Sequence, residues 1–232
     1  MKTNLEEIRH TTKLLFNAVP IEENKALPGL GICSHPFTTS TISMNPQTGE
    51  VLDLTTPDGY KVYRKFMMEL IDRSDVGHLY LLINRPYKMT WFKLCREYMS
   101  EKDYAKYLKQ CWLDEEDPNQ DINVSRKEAI NFFRSASKKH LMEPADLEYY
   151  NNLPDTITIY RGVSPGRERY GLSWTDNREK AEWFKSRYEN GKPGVLLTAT
   201  VSRKYVLCYI DDRNEKELVV DVFKITDKIQ EV

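Results

Sequence analysis

Thr156-Ile157-Thr158-Ile159-Tyr160-Arg161-Gly162 alternates apolar and polar side chains until an arginine stands where the next apolar residue is due. In an extended strand alternate residues share a face, so Arg161 points the same way as Ile157 and Ile159 and its charge is directed inward. An isolated arginine in such a place implies a buried ion pair or a charge held for an anionic ligand. Gly162 follows, and a residue without Cβ lets a ligand approach the main chain closely.

Working outward, this strand marks a change of pattern. Before Leu153-Pro154-Asp155 the apolar residues recur mainly at helical spacing; after it, strands are predicted at 195–201, 205–210 and 217–223. Thr56-Pro57 supplies an N-cap and an N1 proline for a helix from about 57 to 72, with Tyr60, Tyr63, Met67 and Ile71 on its stripe. Helical segments are predicted near 90–99 and 101–113. Ser125-Arg-Lys-Glu128 is a capping box for a further helix, and Pro144 starts a short one through Tyr150. Residues 32–52 read as irregular or hairpin-like. The expected class is therefore α+β: a mainly helical N-terminal region, 1–152, then a mixed, mainly antiparallel sheet core, 153–232.

Composition narrows the function. With 34 Lys and Arg against 35 Asp and Glu there is no overall basic field, and nucleic acid is not an expected partner. No run approaches the ~18 apolar residues of a membrane span. The amino terminus, Met1-Lys-Thr-Asn-Leu-Glu-Glu7, carries acids where a signal peptide has a basic and then apolar stretch, so a cytoplasmic location without a membrane partner is expected. Cys33, Cys95, Cys111 and Cys208 form no C-x-x-C pair, Cys33-Ser-His35 lacks a second ligand pair, and the acidic run 114–117 lacks calcium-loop spacing. No metal is predicted.

The chemistry-bearing residues lie in the last third. Ser173 and Thr175 share a strand face with Trp174 opposed. Asp176, with Glu179 three residues on, is expected to cap a helix that buries Ala181, Phe184 and Tyr188. Glu215-Lys-Glu217 precedes Leu218-Val-Val220, so both carboxylates are expected to project the same way from the mouth of a strand. Taken singly, these features have ordinary structural explanations: an ion pair for Arg161, capping for Ser173, core packing for Trp183, solubility for the paired acids.

In order, Tyr160-Arg-Gly162, Ser173-Trp-Thr175 with its Ala181/Phe184 helix, and Glu215-Lys-Glu217 before an apolar strand resemble the arginine–serine–glutamate class of mono-ADP-ribosyltransferases, which includes bacterial toxins and phage enzymes that modify host proteins. The resemblance covers residues 153–232. It implies an ADP-ribosyltransferase-like, NAD-binding catalytic core, with NAD as co-substrate, no metal, and a protein acceptor, a host protein in the host cytoplasm if the chain is phage-encoded. It implies that Glu217 binds the ribose 2′-hydroxyl and stabilises the oxocarbenium-like cation formed as the nicotinamide bond breaks. Arg161 would bind the phosphates or the nicotinamide-side ribose, the Gly162 main chain the carboxamide, Ser173 would orient Glu217, and Thr175 would brace the strand end. Glu215 would select arginine as acceptor and take its proton. The loop 211–214 would face the target and the segment 189–194 would fold over the dinucleotide. An NAD glycohydrolase and a catalytically degenerate interaction module are the alternatives.

Overall fold

A computed structural model describes residues 1–188 and 191–232. The chain divides into two compact units, Met1–Ser100 with Cys111–Glu116, and Glu101–Gln110 with Asp117–Val232.

The first unit is built on helices α1 (Leu5–Ala18), α2 (Pro57–Arg73), α3 (Val76–Leu82) and α4 (Lys88–Cys95), with two hairpins, β1 (Ile32–His35) with β2 (Thr38–Ser40) and β3 (Ile42–Met44) with β4 (Val51–Asp53). The hairpins fall in the stretch read as irregular or hairpin-like. Helix α2 starts as its sequence predicts: the Thr56 hydroxyl accepts from the Gly59 amide and Pro57 occupies the first turn. Tyr63, Met67 and Ile71 are its buried stripe. The core gathers Ile8, Phe16, Leu79, Trp91 and Phe92. Burying an indole N–H costs free energy unless it finds an acceptor; Trp91 Nε1 donates to Thr12 Oγ1 at 2.9 Å, whose hydroxyl donates to the Ile8 carbonyl at 2.7 Å.

Helix α5 (Glu101–Asp114) is shared between the units. The second unit continues with α6 (Arg126–Ser135), α7 (Lys138–Leu141) and α8 (Pro144–Asn151). The capping box of α6 forms as read, with the Ser125 side chain accepting from the Glu128 amide and the Glu128 carboxylate accepting from the Ser125 amide. From Thr156 the chain is β5 (Thr156–Val163), β6 (Ser173–Trp174), α9 (Arg178–Ser186), β7 (Val195–Ser202), β8 (Val206–Ile210), β9 (Glu217–Val220) and β10 (Gln230–Glu231). The switch from helix to strand lies where 1–152 and 153–232 were separated; the compact unit that contains the sheets also takes in α6, α7 and α8.

Two three-stranded antiparallel sheets result, ordered β10-β7-β5 and β6-β9-β8. An isolated bridge joins them at Tyr160 and Thr175, whose amides and carbonyls exchange bonds of 2.7 and 2.9 Å. Strand β5 buries Ile157, Ile159, Arg161 and Val163, the face its alternation predicts. Every residue of β8 and β9 is buried, which is why they read as continuous apolar runs. The predicted strand 217–223 ends at Val220, and Val222–Lys224 forms a 3₁₀ turn instead. Helix α9 also departs from expectation. Its N-cap is Asn177, whose side chain accepts from the Lys180 amide. The neighbouring Asp176 accepts a hydrogen bond from the Tyr149 hydroxyl. Ala181 is buried and Phe184 half-buried, but Tyr188 is exposed and Trp183, one of the core candidates, is 53% exposed.

All four cysteines are free and buried. Among the described residues no group of His, Cys, Asp and Glu converges as metal ligands, and no helix is long and apolar enough to cross a membrane.

Candidate active site

Arg161 sits near the end of β5, 8% exposed. Among the described residues its guanidinium has no ion-pair partner within hydrogen-bond range, and it is not open to solvent. It is bound by main-chain carbonyls: Nη1 donates to Ser173 O at 2.7 Å, Nη2 to Glu168 O at 2.7 Å, and Nε to Arg169 O at 3.3 Å. Burial pulls its pKa down to about 10, with Asp117, Glu217 and Glu168 opposing that shift and Arg126 adding to it. The side chain therefore remains a cation at neutral pH, held among carboxylates.

Ser173 is half-buried on β6, and its contact with Arg161 is made by the carbonyl. Ser173 pairs with Val219 and Trp174 with Leu218. The ladder ends at that pair: Thr175 goes on to bridge Tyr160, and Glu217 precedes Leu218 on β9. The Trp174 indole closes the turn before it by donating to Gly171 O at 3.0 Å. Thr175 is buried; its hydroxyl accepts from the Asn177 amide at 3.1 Å while its main chain makes the bridge to Tyr160.

Glu217 opens β9, the central strand of its sheet, paired with Ile210 of β8 and 8% exposed. The structure thus gathers Arg161, Ser173, Thr175 and Glu217 from three segments of the chain. Glu215 precedes the strand, as its sequence places it. It is half-buried in the turn between β8 and β9, outside the strand. Asn214 and Lys216 on either side of it have φ of 54° and 49°. Left-handed main chain at Lys216 interrupts extended geometry, so strand alternation does not govern how Glu215 and Glu217 point. Asp211 pins this turn, its Oδ1 accepting from the Lys216 amide at 2.9 Å and its carbonyl from the Asn214 amide at 2.9 Å. In the same loop Asp212 is paired with Lys109, whose Nζ also meets Glu143 at 2.9 Å.

The place of a Gly162 Cβ is taken by helix α9: such an atom would lie 1.8 Å from the Ala181 carbonyl oxygen and 2.4 Å from the Lys185 nitrogen. Helix packing explains the glycine on that side. In the 189–194 segment, Glu189 and Asn190 lie outside the described residues.

Several residues at the site have no local sequence signal. The turn between β5 and β6 wraps Arg161, and at Gly171 a Cβ would fall 2.3 Å from Arg161 Nη2, so a larger residue there would displace the guanidinium. Asn119 Oδ1 accepts from the Leu172 amide at 2.6 Å. Arg126 meets the Glu168 carboxylate at 3.0 Å and donates to the Tyr170 carbonyl. Arg167 pairs with Asp117 at 3.1 Å. The density of charge in Gly166-Arg-Glu-Arg-Tyr-Gly171 is the one sequence hint of this arrangement. Comparison of the chain with protein-family models, with curated proteins and with solved structures finds no significant match to any of them.

Proposed function

We propose that this chain is a mono-ADP-ribosyltransferase that moves ADP-ribose from NAD to a protein side chain, with arginine the favoured acceptor. One observation carries the reading: Arg161, the Ser173 main chain and Glu217 come from distant segments and stand within electrostatic reach of one another at the junction of two antiparallel sheets. That arrangement is compatible with an ADP-ribosyltransferase-like core.

In this reading the bond between nicotinamide and ribose C1′ breaks, and its electron pair leaves with the nicotinamide. Glu217 stabilises the positive charge that develops on the ribose, and burial strengthens that electrostatic effect. Arg161 supplies positive charge for the diphosphate. The acceptor guanidinium loses a proton to Glu215 and its nitrogen bonds to C1′. Ser173, paired to β9, and Thr175 beside it brace the strand end from which Glu217 works. The acceptor is a protein, in the host cytoplasm if the chain is phage-encoded.

The hydrogen bonds from Arg161 to its own main chain favour a second reading, a module that keeps the fold without the chemistry. Labelled NAD supplied with the protein and a cell lysate separates the readings. Label on a macromolecule is the expected result. Free ADP-ribose and nicotinamide alone indicate a glycohydrolase, and no NAD consumption together with no NAD binding by calorimetry indicates the interaction module.

A further inference from the structure

Arg126 and Arg161 hold the same short turn from two directions. Arg161 binds the carbonyls of Glu168 and Arg169, while Arg126, in the first turn of α6, binds the Glu168 carboxylate at 3.0 Å and the Tyr170 carbonyl. Two guanidinium groups thereby grip one turn, Arg161 through main-chain carbonyls and Arg126 through the Glu168 carboxylate, which also accepts from the Tyr170 amide at 2.9 Å. Like charges repel, so the Arg126 charge opposes that of Arg161 while the Glu168 carboxylate favours it. The Arg126 and Glu168 side chains remain about a quarter exposed, so solvent and solutes reach their ion pair, while Arg161 lies buried behind the turn's carbonyls.

We propose that Arg126 is a second diphosphate-binding residue, that Arg126 and Arg161 together form a clamp for a diphosphate, and that the Glu168 turn occupies this clamp until the dinucleotide displaces it. The assignment rests on the NAD-dependent reading above for the identity of the ligand. Its geometry rests on the two arginines and their shared turn alone. A diphosphate offers each guanidinium charged, bidentate acceptors in place of neutral carbonyls and one carboxylate. The exchange moves the Glu168 carboxylate away from Asp117 and Glu217, whose charges also act on Arg161. The ion pair of Arg167 with Asp117 anchors the other end of the turn, so the closed form weakens as salt screens the tether.

Calorimetric titration of the full chain with NAD and, separately, with inorganic pyrophosphate tests the proposal on the wild type, Glu168→Gln and Arg126→Gln. Glu168→Gln is expected to tighten both ligands by about tenfold and Arg126→Gln to weaken both by about tenfold. The opposite signs are diagnostic, because a mere tether for the turn makes both substitutions tighten binding. On the wild type, either ligand is expected to speed hydrogen exchange at the Tyr170 amide as the turn lifts, a readout that needs no variant. NAD binding with both variants within about twofold of wild type and an unchanged Tyr170 amide overturns the clamp and leaves the transferase reading standing. Tightening by Arg126→Gln also overturns it. Pyrophosphate responding as expected without any NAD binding supports the clamp and removes the transferase reading. Binding of neither ligand to any of the three proteins rejects both.

Discussion

Gly162 and Ala181 touch main chain to main chain, so closely that a Cβ on the glycine would stand 1.8 Å from the Ala181 carbonyl oxygen. No flexible side chain can give way there. Gly162→Ala is expected to push α9 off β5 and to cost about 1–3 kcal/mol or more, as overpacking does. Urea unfolding of wild type and variant measures it, and equal midpoints would disprove the packing role.

Glu217 is buried at the head of a central strand, so truncation to alanine would leave a void as well as remove a charge. The isosteric Glu217→Gln is the cleaner variant. It is expected to keep the fold and lower nicotinamide release by roughly 100- to 1000-fold, the loss typical of a removed transition-state electrostatic contact. Near-normal release in a folded variant excludes Glu217 from the chemistry.

Glu215 lies in the turn and is assigned to the acceptor alone. Glu215→Gln is expected to spare nicotinamide release while reducing label transfer to arginine-containing protein. Measuring both products in one reaction decides the matter, since an equal fall in the two contradicts a role in acceptor choice.

His35, in the first unit, is buried against Phe16 and Phe37. Its Nδ1 accepts from the Phe37 amide at 3.2 Å, which leaves Nε2 to donate to the Phe16 carbonyl at 3.1 Å. Burial lowers its pKa from 6.5, partly offset by the bonds to Phe16 and Val19. The unfolded chain therefore takes up a proton first as pH falls, and stability present above about pH 6.5 is lost below it. Unfolding free energies from about pH 7 to about pH 5 should show this slope in the wild type and lose it in His35→Gln. Parallel curves for the two proteins contradict the assignment.

The Ser125 cap fixes the start of α6, where Arg126 sits. Ser125→Ala is expected to cost about 1 kcal/mol, the usual worth of an N-cap. Thermal unfolding reads the change directly, and an unaltered midpoint would show that the cap is redundant.

What could be read from the sequence was local. Thr56-Pro57 and Ser125-x-x-Glu128 act through bonds spanning three residues, and both form as read. The alternation from Thr156 fixed which face of β5 is buried. The α9 cap was misplaced by one residue because Asp176 and Asn177 are equally good caps, and a tyrosine 27 residues away takes Asp176. Tyr188 looks like a core residue from its helical spacing, and Trp183 from its large apolar ring. Both lie outside the core, with the Arg187 guanidinium 5.1 Å from the Tyr188 ring and 5.2 Å from the Trp183 ring. The short strands of residues 32–53 carry too few residues to establish a period. At the site, the order of Arg161, Ser173 and Glu217 was legible, but the acceptors of Arg161 were not. Main-chain carbonyls have no side-chain signature, so a turn that binds through them is invisible until the chain is folded.

Lys216, left-handed between two glutamates, turns a spacer into a constraint on descent. A drifting gene can exchange its side chain freely for glycine or asparagine, yet a β-branched valine or isoleucine would strain the backbone and swing Glu215 away from its present direction. Divergent copies of this protein should therefore betray themselves less by the two acids than by the short roster of residues tolerated between them.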